Sequence, residues 1–131
     1  MTLGRHASIV GAVLAVTLIG GGLLAGGRLS ASAAEAAVFG ATVAAANAIL
    51  AHLLVLRTAG RPPSVFLKLV IGGMAGRIAL VLGAVSIAVA VLNLPGLPLV
   101  LSLLGHFAVF LGLEIVALHS MAPAPRLDGS R

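Results

Sequence analysis

Residues 69–83 read LVIGGMAGRIALVLG, an apolar run with Arg77 near its middle and four glycines, Gly72, Gly73, Gly76 and Gly83, around it. A guanidinium in such surroundings is expensive unless something pairs with it, so the first question is what solvent the run meets. The rest of the chain answers. Of its 131 residues, 60% are hydrophobic and only 8% are charged, and the mean hydropathy is +1.22. These shares lie far from those of a soluble domain and point to an integral membrane protein.

Working outward from that run, apolar windows fall at residues 7–25, 36–56, 66–92 and 97–118. Each is near or above the ~20 residues that a helix needs to cross ~30 Å of hydrocarbon. The expected fold is therefore an all-α integral membrane protein of four transmembrane helices occupying residues 1–120. The connectors GGRLSASAAE, RTAGRPPS and NLPGLP carry the breaker residues that end helices. NLPGLP is so short that spans three and four are expected to form a tight antiparallel hairpin. The polar, Pro-punctuated tail, residues 121–131, is expected to be disordered and cytoplasmic.

Basic residues orient the bundle, because Lys and Arg near span ends stay on the cytoplasmic side. Arg5, Arg57, Arg61, Lys68, Arg126 and Arg131 fall on one side if both termini are internal, leaving only Arg28, near Glu35, on the other. Both termini are expected in the cytoplasm. A competing reading takes Arg5, the first apolar stretch and SASAAEA as a secretory signal, cleaved after Ala33 to leave three spans. The first apolar stretch exceeds the ~7–15 residues of a signal core, and Arg28 separates it from the cleavage-like residues, so the first span is read as retained.

Several function classes recede on composition. The formal charge of +5 comes from eight basic residues spread along the chain, with no Trp or Tyr to stack on bases, so no nucleic-acid partner is expected. Without cysteine there is no disulfide framework or thiolate. GGMAGR lacks the lysine-hydroxyl ending of a phosphate cradle. Thr42, Ser86 and Ser102 are isolated hydroxyls of the kind that satisfies helix backbones in membranes. Neither an enzyme nor a cofactor is expected, and the scattered histidines and glutamate give no metal set.

Six polar residues nevertheless lie inside the apolar windows: Asn47, His52, Lys68, Arg77, His106 and Glu114. At ~1.5 Å of rise per residue, His52 and Glu114 lie roughly 6–8 Å from the cytoplasmic ends of their spans, Asn47 and Arg77 about 14–16 Å, and His106 nearer 20 Å. Helical side chains lean toward their own N-terminus. Arg77 on the third span and Glu114 on the fourth therefore lean toward one another, and their pairing lowers the ~3 kcal/mol cost of a lone intramembrane charge. Asn47 lies where its amide oxygen can accept a guanidinium hydrogen bond. Lys68, nine residues from Arg77, points to the opposite side of the helix and is expected to reach the lipid headgroups. His52 and His119 are expected to cap or solvate at the interface, and His106 to donate to a backbone carbonyl or to carry a proton. Gly72, Gly73, Gly76 and Gly83 are read as helix-packing positions, mainly within the bundle, with Gly72 and Gly76 forming a GxxxG pair.

Taken together, Gly40, Asn47 and Arg57, then Lys68, then Gly73 and Arg77, then Pro98 in LPLVL before a last apolar span, resemble the small four-span bacterial ATP synthase protein I. The resemblance covers residues 38–117. It implies a plasma-membrane assembly factor that helps subunit c form the rotor ring of the F-type ATP synthase, with membrane-sector subunits as partners, and it carries an association with magnesium transport. The chain departs from the family at Met74, where the family commonly has a glutamate. Two alternatives stand beside it. One is a small magnesium or proton transporter or channel component, with Arg77, Glu114, His106 and Asn47 as a polar path. The other is a structural membrane subunit of a larger complex.

Overall fold

A computed structural model of the chain describes residues 2–121. They form four helices: α1 (Leu3–Ala25), α2 (Ala31–Thr58), α3 (Pro63–Ala90) and α4 (Gly96–Met121). All four are long and apolar enough to cross a membrane. Their ends follow local chemistry. Thr2 caps α1 by accepting from the Arg5 N–H, and Gly26 closes it in the left-handed region at φ 54°. Ser30 caps α2 by accepting from the Ala33 N–H. With that cap, the alanine-rich SASAAEA becomes the opening of α2, which starts at Ala31 instead of residue 36. Pro63 opens α3 at a position where no backbone donor is missed.

The α3–α4 turn closes through Leu94 N–H donating to Ala88 O, with Asn93 at φ 53°. This ends α3 at Ala90 instead of residue 92. At the other end, α4 runs through Met121, past the expected limit of 118. The expected disorder of the tail otherwise falls on residues 122–131, outside the described residues.

Neighbouring residues set the topology. His6 near the start of α1 meets His52 near the end of α2. Ser102 near the start of α4 reaches Ala37 near the start of α2, so α2 and α4 run parallel. Asn47 and Leu54 of α2 meet Arg77 and Gly73 of α3 in antiparallel order. The helices therefore alternate in direction, and the start of α1 shares one end of the bundle with the ends of α2 and α4.

The centre of the bundle is α2, which packs most extensively on α4 and also on α3 and α1. This differs from the close α3–α4 pair that NLPGLP suggests. The short turn returns the chain antiparallel, but each of the two helices packs chiefly on α2. Small residues explain why. Ala44, Ala45 and Ala48 form the core with Val10, Leu103 and Phe110, while Ala36, Ala88 and Leu99 form a second cluster toward the α3–α4 turn. Where side chains are this short, backbones approach closely. Among the glycines, it is Gly40 that meets the backbone of another helix this closely, a Cβ there standing 2.6 Å from Leu99 O and 3.0 Å from Leu103 N.

Of the glycines expected to pack helices, Gly73 is the one that does so among the described residues, lying against Leu54. Gly72, Gly76 and Gly83 face open space, and the GxxxG pair points away from the bundle. The reason is angular. At ~100° per residue, Gly72, Gly76 and Gly83 share a stripe opposite the one carrying Arg77 and Val81, and α2 takes the latter. The exterior is strongly apolar, with Leu24 90% exposed and Ile71, Ile78, Leu82 and Val116 also outside. Such an outer surface is suited to hydrocarbon.

Candidate functional site

Two polar layers cross this alanine-rich interior. The first joins three helices around Arg77, halfway along α3. Its Nε–H donates to Asn47 Oδ1 of α2 at 3.0 Å. Its Nη2 stands 3.8 Å from Glu114 Oε2 of α4, with the two side chains 23% and 19% exposed. Asn47 is 2% exposed, so its amide is committed to this contact. A charge-assisted hydrogen bond of this kind contributes about 1.5–3 kcal/mol, whereas the longer approach to Glu114 is an ion pair without a hydrogen bond. Beside the three polar groups lies a cavity of about 10 Å3 bounded by Ala44, Ala48 and Phe110, room for about one water.

This layer continues into α1 and α2. His6 and His52 are both buried and stack ring on ring, with centroids 4.1 Å apart and planes 10° from parallel. His6 is close enough to Glu114 for the two to interact electrostatically. His6 Nε2 is buried and has no hydrogen-bond partner. Sequence reasoning passed over His6 and placed His52 at the interface. A signal was present in helix geometry, since His6, Val10, Val13 and Thr17 fall on one stripe of α1. Two polar residues on that stripe mark it as the face that meets protein.

The second layer lies nearer the α3–α4 turn. His106 Nδ1 is 2.8 Å from Ser102 O, and Nε2 is 2.7 Å from Thr17 Oγ1 of α1. Nδ1–H donates to Ser102 O, while Nε2 competes with Val13 O, 2.8 Å from the Thr17 hydroxyl, for the one proton of that hydroxyl. Ser102 Oγ–H in turn donates to Ala37 O of α2 at 2.6 Å. His106 thus makes the backbone contact expected of it, and Ser102, read as an isolated hydroxyl, bridges two helices. Thr42 and Ser86 return their protons to Val38 O and Leu82 O of their own helices.

Phe110, buried on the same face of α4, stands one turn from His106 and one turn from Glu114. It separates the four residues of the expected polar path into two layers. Lys68 is exposed on α3, away from Arg77. Among the described residues no three His, Asp or Glu side chains converge as a metal set.

Between α3 and α4 the splayed helices leave a groove of about 440 Å3. Asn47 and Arg77 border it, and its walls are Met74, Ile78, Leu82, Leu104 and other apolar side chains. The arrangement therefore holds a positive charge halfway along α3 and presents it to an apolar groove open to the exterior. Comparison with protein-family models, curated proteins and solved structures found no match for the chain.

Proposed function

We infer that this protein is a non-enzymatic, multi-pass assembly factor of the bacterial plasma membrane, of the ATP synthase protein I type, which helps subunit c gather into the rotor ring of the F-type ATP synthase. The observation that carries the reading is the placement of Arg77. Its guanidinium is fixed by Asn47 halfway along α3 and borders a groove with apolar walls. A partner span bearing a carboxylate at mid-membrane would find there both a counter-charge and a surface without competing water. By pairing transiently with that carboxylate, Arg77 would keep unassembled subunits from aggregating before the ring closes.

The same reading supplies an orientation. Arg5, Arg57, Arg61 and Lys68 cluster at the end of the bundle where α1 starts, α2 ends and α3 starts. That end is cytoplasmic under the retention of basic residues, which also places the N-terminus there. The test is co-purification with monomeric subunit c. The wild-type chain is expected to retain subunit c and Arg77→Ala to lose most of it; retention by the variant at wild-type yield overturns the reading.

A further inference from the structure

The Arg77–Glu114 pair is looser than a buried ion pair needs to be. A guanidinium has five N–H donors in a planar fork that matches a carboxylate with two parallel hydrogen bonds. Here one donor meets a side-chain acceptor, Asn47, and the nearest approach to Glu114 stops at 3.8 Å. The fork is partly exposed where it borders the groove between α3 and α4. Glu114 also interacts electrostatically with His6 of α1, whose Nε2 is buried and without a hydrogen-bond partner. Glu114 therefore has two candidate partners, and at 3.8 Å it makes no hydrogen bond with Arg77.

We propose that Glu114 is a placeholder counter-ion: a transmembrane helix carrying one mid-depth carboxylate docks in the α3–α4 groove, takes the Arg77 fork in bidentate fashion, and displaces Glu114 toward His6. The proposal rests on the assembly-factor reading for the identity of the partner and adds the docking face and the exchange of carboxylates.

Depth selects a helix over other anions. Arg77 lies halfway along α3, which in a ~30 Å hydrocarbon core puts it ~15 Å from either headgroup layer, beyond the reach of a lipid headgroup. An anion brought to that depth must ride on a chain whose backbone groups are internally satisfied, which in hydrocarbon means a helix. The groove walls, Met74, Ile78, Leu82, Leu104 and Leu111, supply apolar surface on both sides of the charge. In a second copy of this chain the nearest such acid, Glu114, has a side chain only 19% exposed and does not stand out from its own bundle.

The test uses the full-length protein in phosphatidylcholine nanodiscs and a labelled single-span Leu/Ala peptide with one central Glu, against the same peptide with Gln. Energy transfer reports binding. The Glu peptide is expected to bind on the order of tenfold more tightly than the Gln peptide, as for a close charge pair removed from water. Glu114→Gln should tighten binding of the Glu peptide several-fold by removing its competitor. Leu104→Trp, which fills the groove from an exposed position and leaves Arg77 in place, should weaken it. Circular dichroism and monodisperse elution confirm that each variant folds. Equal binding of the two peptides overturns the proposal. So does an absence of peptide binding to both wild type and Glu114→Gln, the result expected if lipid or a second copy fills the groove. Tight, charge-dependent binding that Glu114→Gln leaves unchanged overturns the placeholder role and leaves the assembly reading intact. Peptide binding as predicted, with no association with subunit c, retires the assembly reading and keeps the groove and the exchange.

Discussion

His6 of α1 stacks on His52 of α2 with ring centroids 4.1 Å apart, and the pair fastens the first helix to the central one. Fastening matters because α1 is otherwise largely exposed, with His6 and Val10 as its buried residues. The unpartnered Nε2 of His6 sets two terms against each other. Stacked rings contribute ~0.5–1.5 kcal/mol, and a buried unsatisfied polar atom costs ~1–3 kcal/mol. His6→Leu, which keeps bulk and removes the orphan nitrogen, is expected to be within about 1 kcal/mol of wild type. His6→Ala, which leaves a cavity, is expected to lose about 2 kcal/mol or more. Reversible unfolding in mixed detergent micelles measures both, and equal losses would contradict this account.

The glycines of the chain divide by what a methyl group would meet. Gly40→Ala drives a Cβ against the backbone at Leu99 and Leu103, which cannot move without parting α2 from α4; the expected loss is about 1–3 kcal/mol. At Gly73 the obstacle is the tip of the Leu54 side chain, so alanine there should cost less. Gly72→Ala and Gly76→Ala meet nothing among the described residues and are expected to leave the fold unchanged or firmer, given the helix propensity of alanine. The same unfolding measurement ranks the four variants. An order that places Gly76 with Gly40 would mean that the outward face of α3 is packed against something in solution.

Asn47 is expected to hold Arg77 more firmly than Glu114 does. The first contact is a 3.0 Å hydrogen bond to a buried amide and the second a 3.8 Å ion pair with partly exposed side chains. Double-mutant cycles with Asn47→Ala, Glu114→Gln and Arg77→Gln should give a larger coupling energy for Asn47–Arg77 than for Arg77–Glu114. About 1.5–3 kcal/mol is expected for the former and under about 1 kcal/mol for the latter. The reverse order would show that the ion pair, not the amide, positions the guanidinium.

Helical phase made much of this site legible. The directions in which α3 and α4 run, the lean of helical side chains and a constant rise per residue are enough to aim Arg77, Glu114 and Asn47 at one another. The meeting of His6 with His52 was less legible, because two histidines on different helices carry no mutual spacing signal until the register of α1 on α2 is known. Ser102 was misread for a similar reason. A membrane hydroxyl ordinarily returns to its own helix, as Thr42 and Ser86 do, and only the close crossing at Gly40 brings Ala37 O within its reach.

What the amino-acid sequence determined by itself was everything that depends on one helix at a time: four apolar helices, their turn residues, their alternating directions and the place of each polar group along its helix. These follow from hydrophobicity, breaker residues and the fixed helical repeat. Which face of each helix turns inward was decided only by the tertiary structure, because glycine and alanine are small enough for more than one face to pack and lipid rewards none of them over another. Here α2, with the longest alanine face, took the centre. That choice separated α3 from α4, sent the GxxxG pair outward and left beside Arg77 the groove on which the functional reading rests.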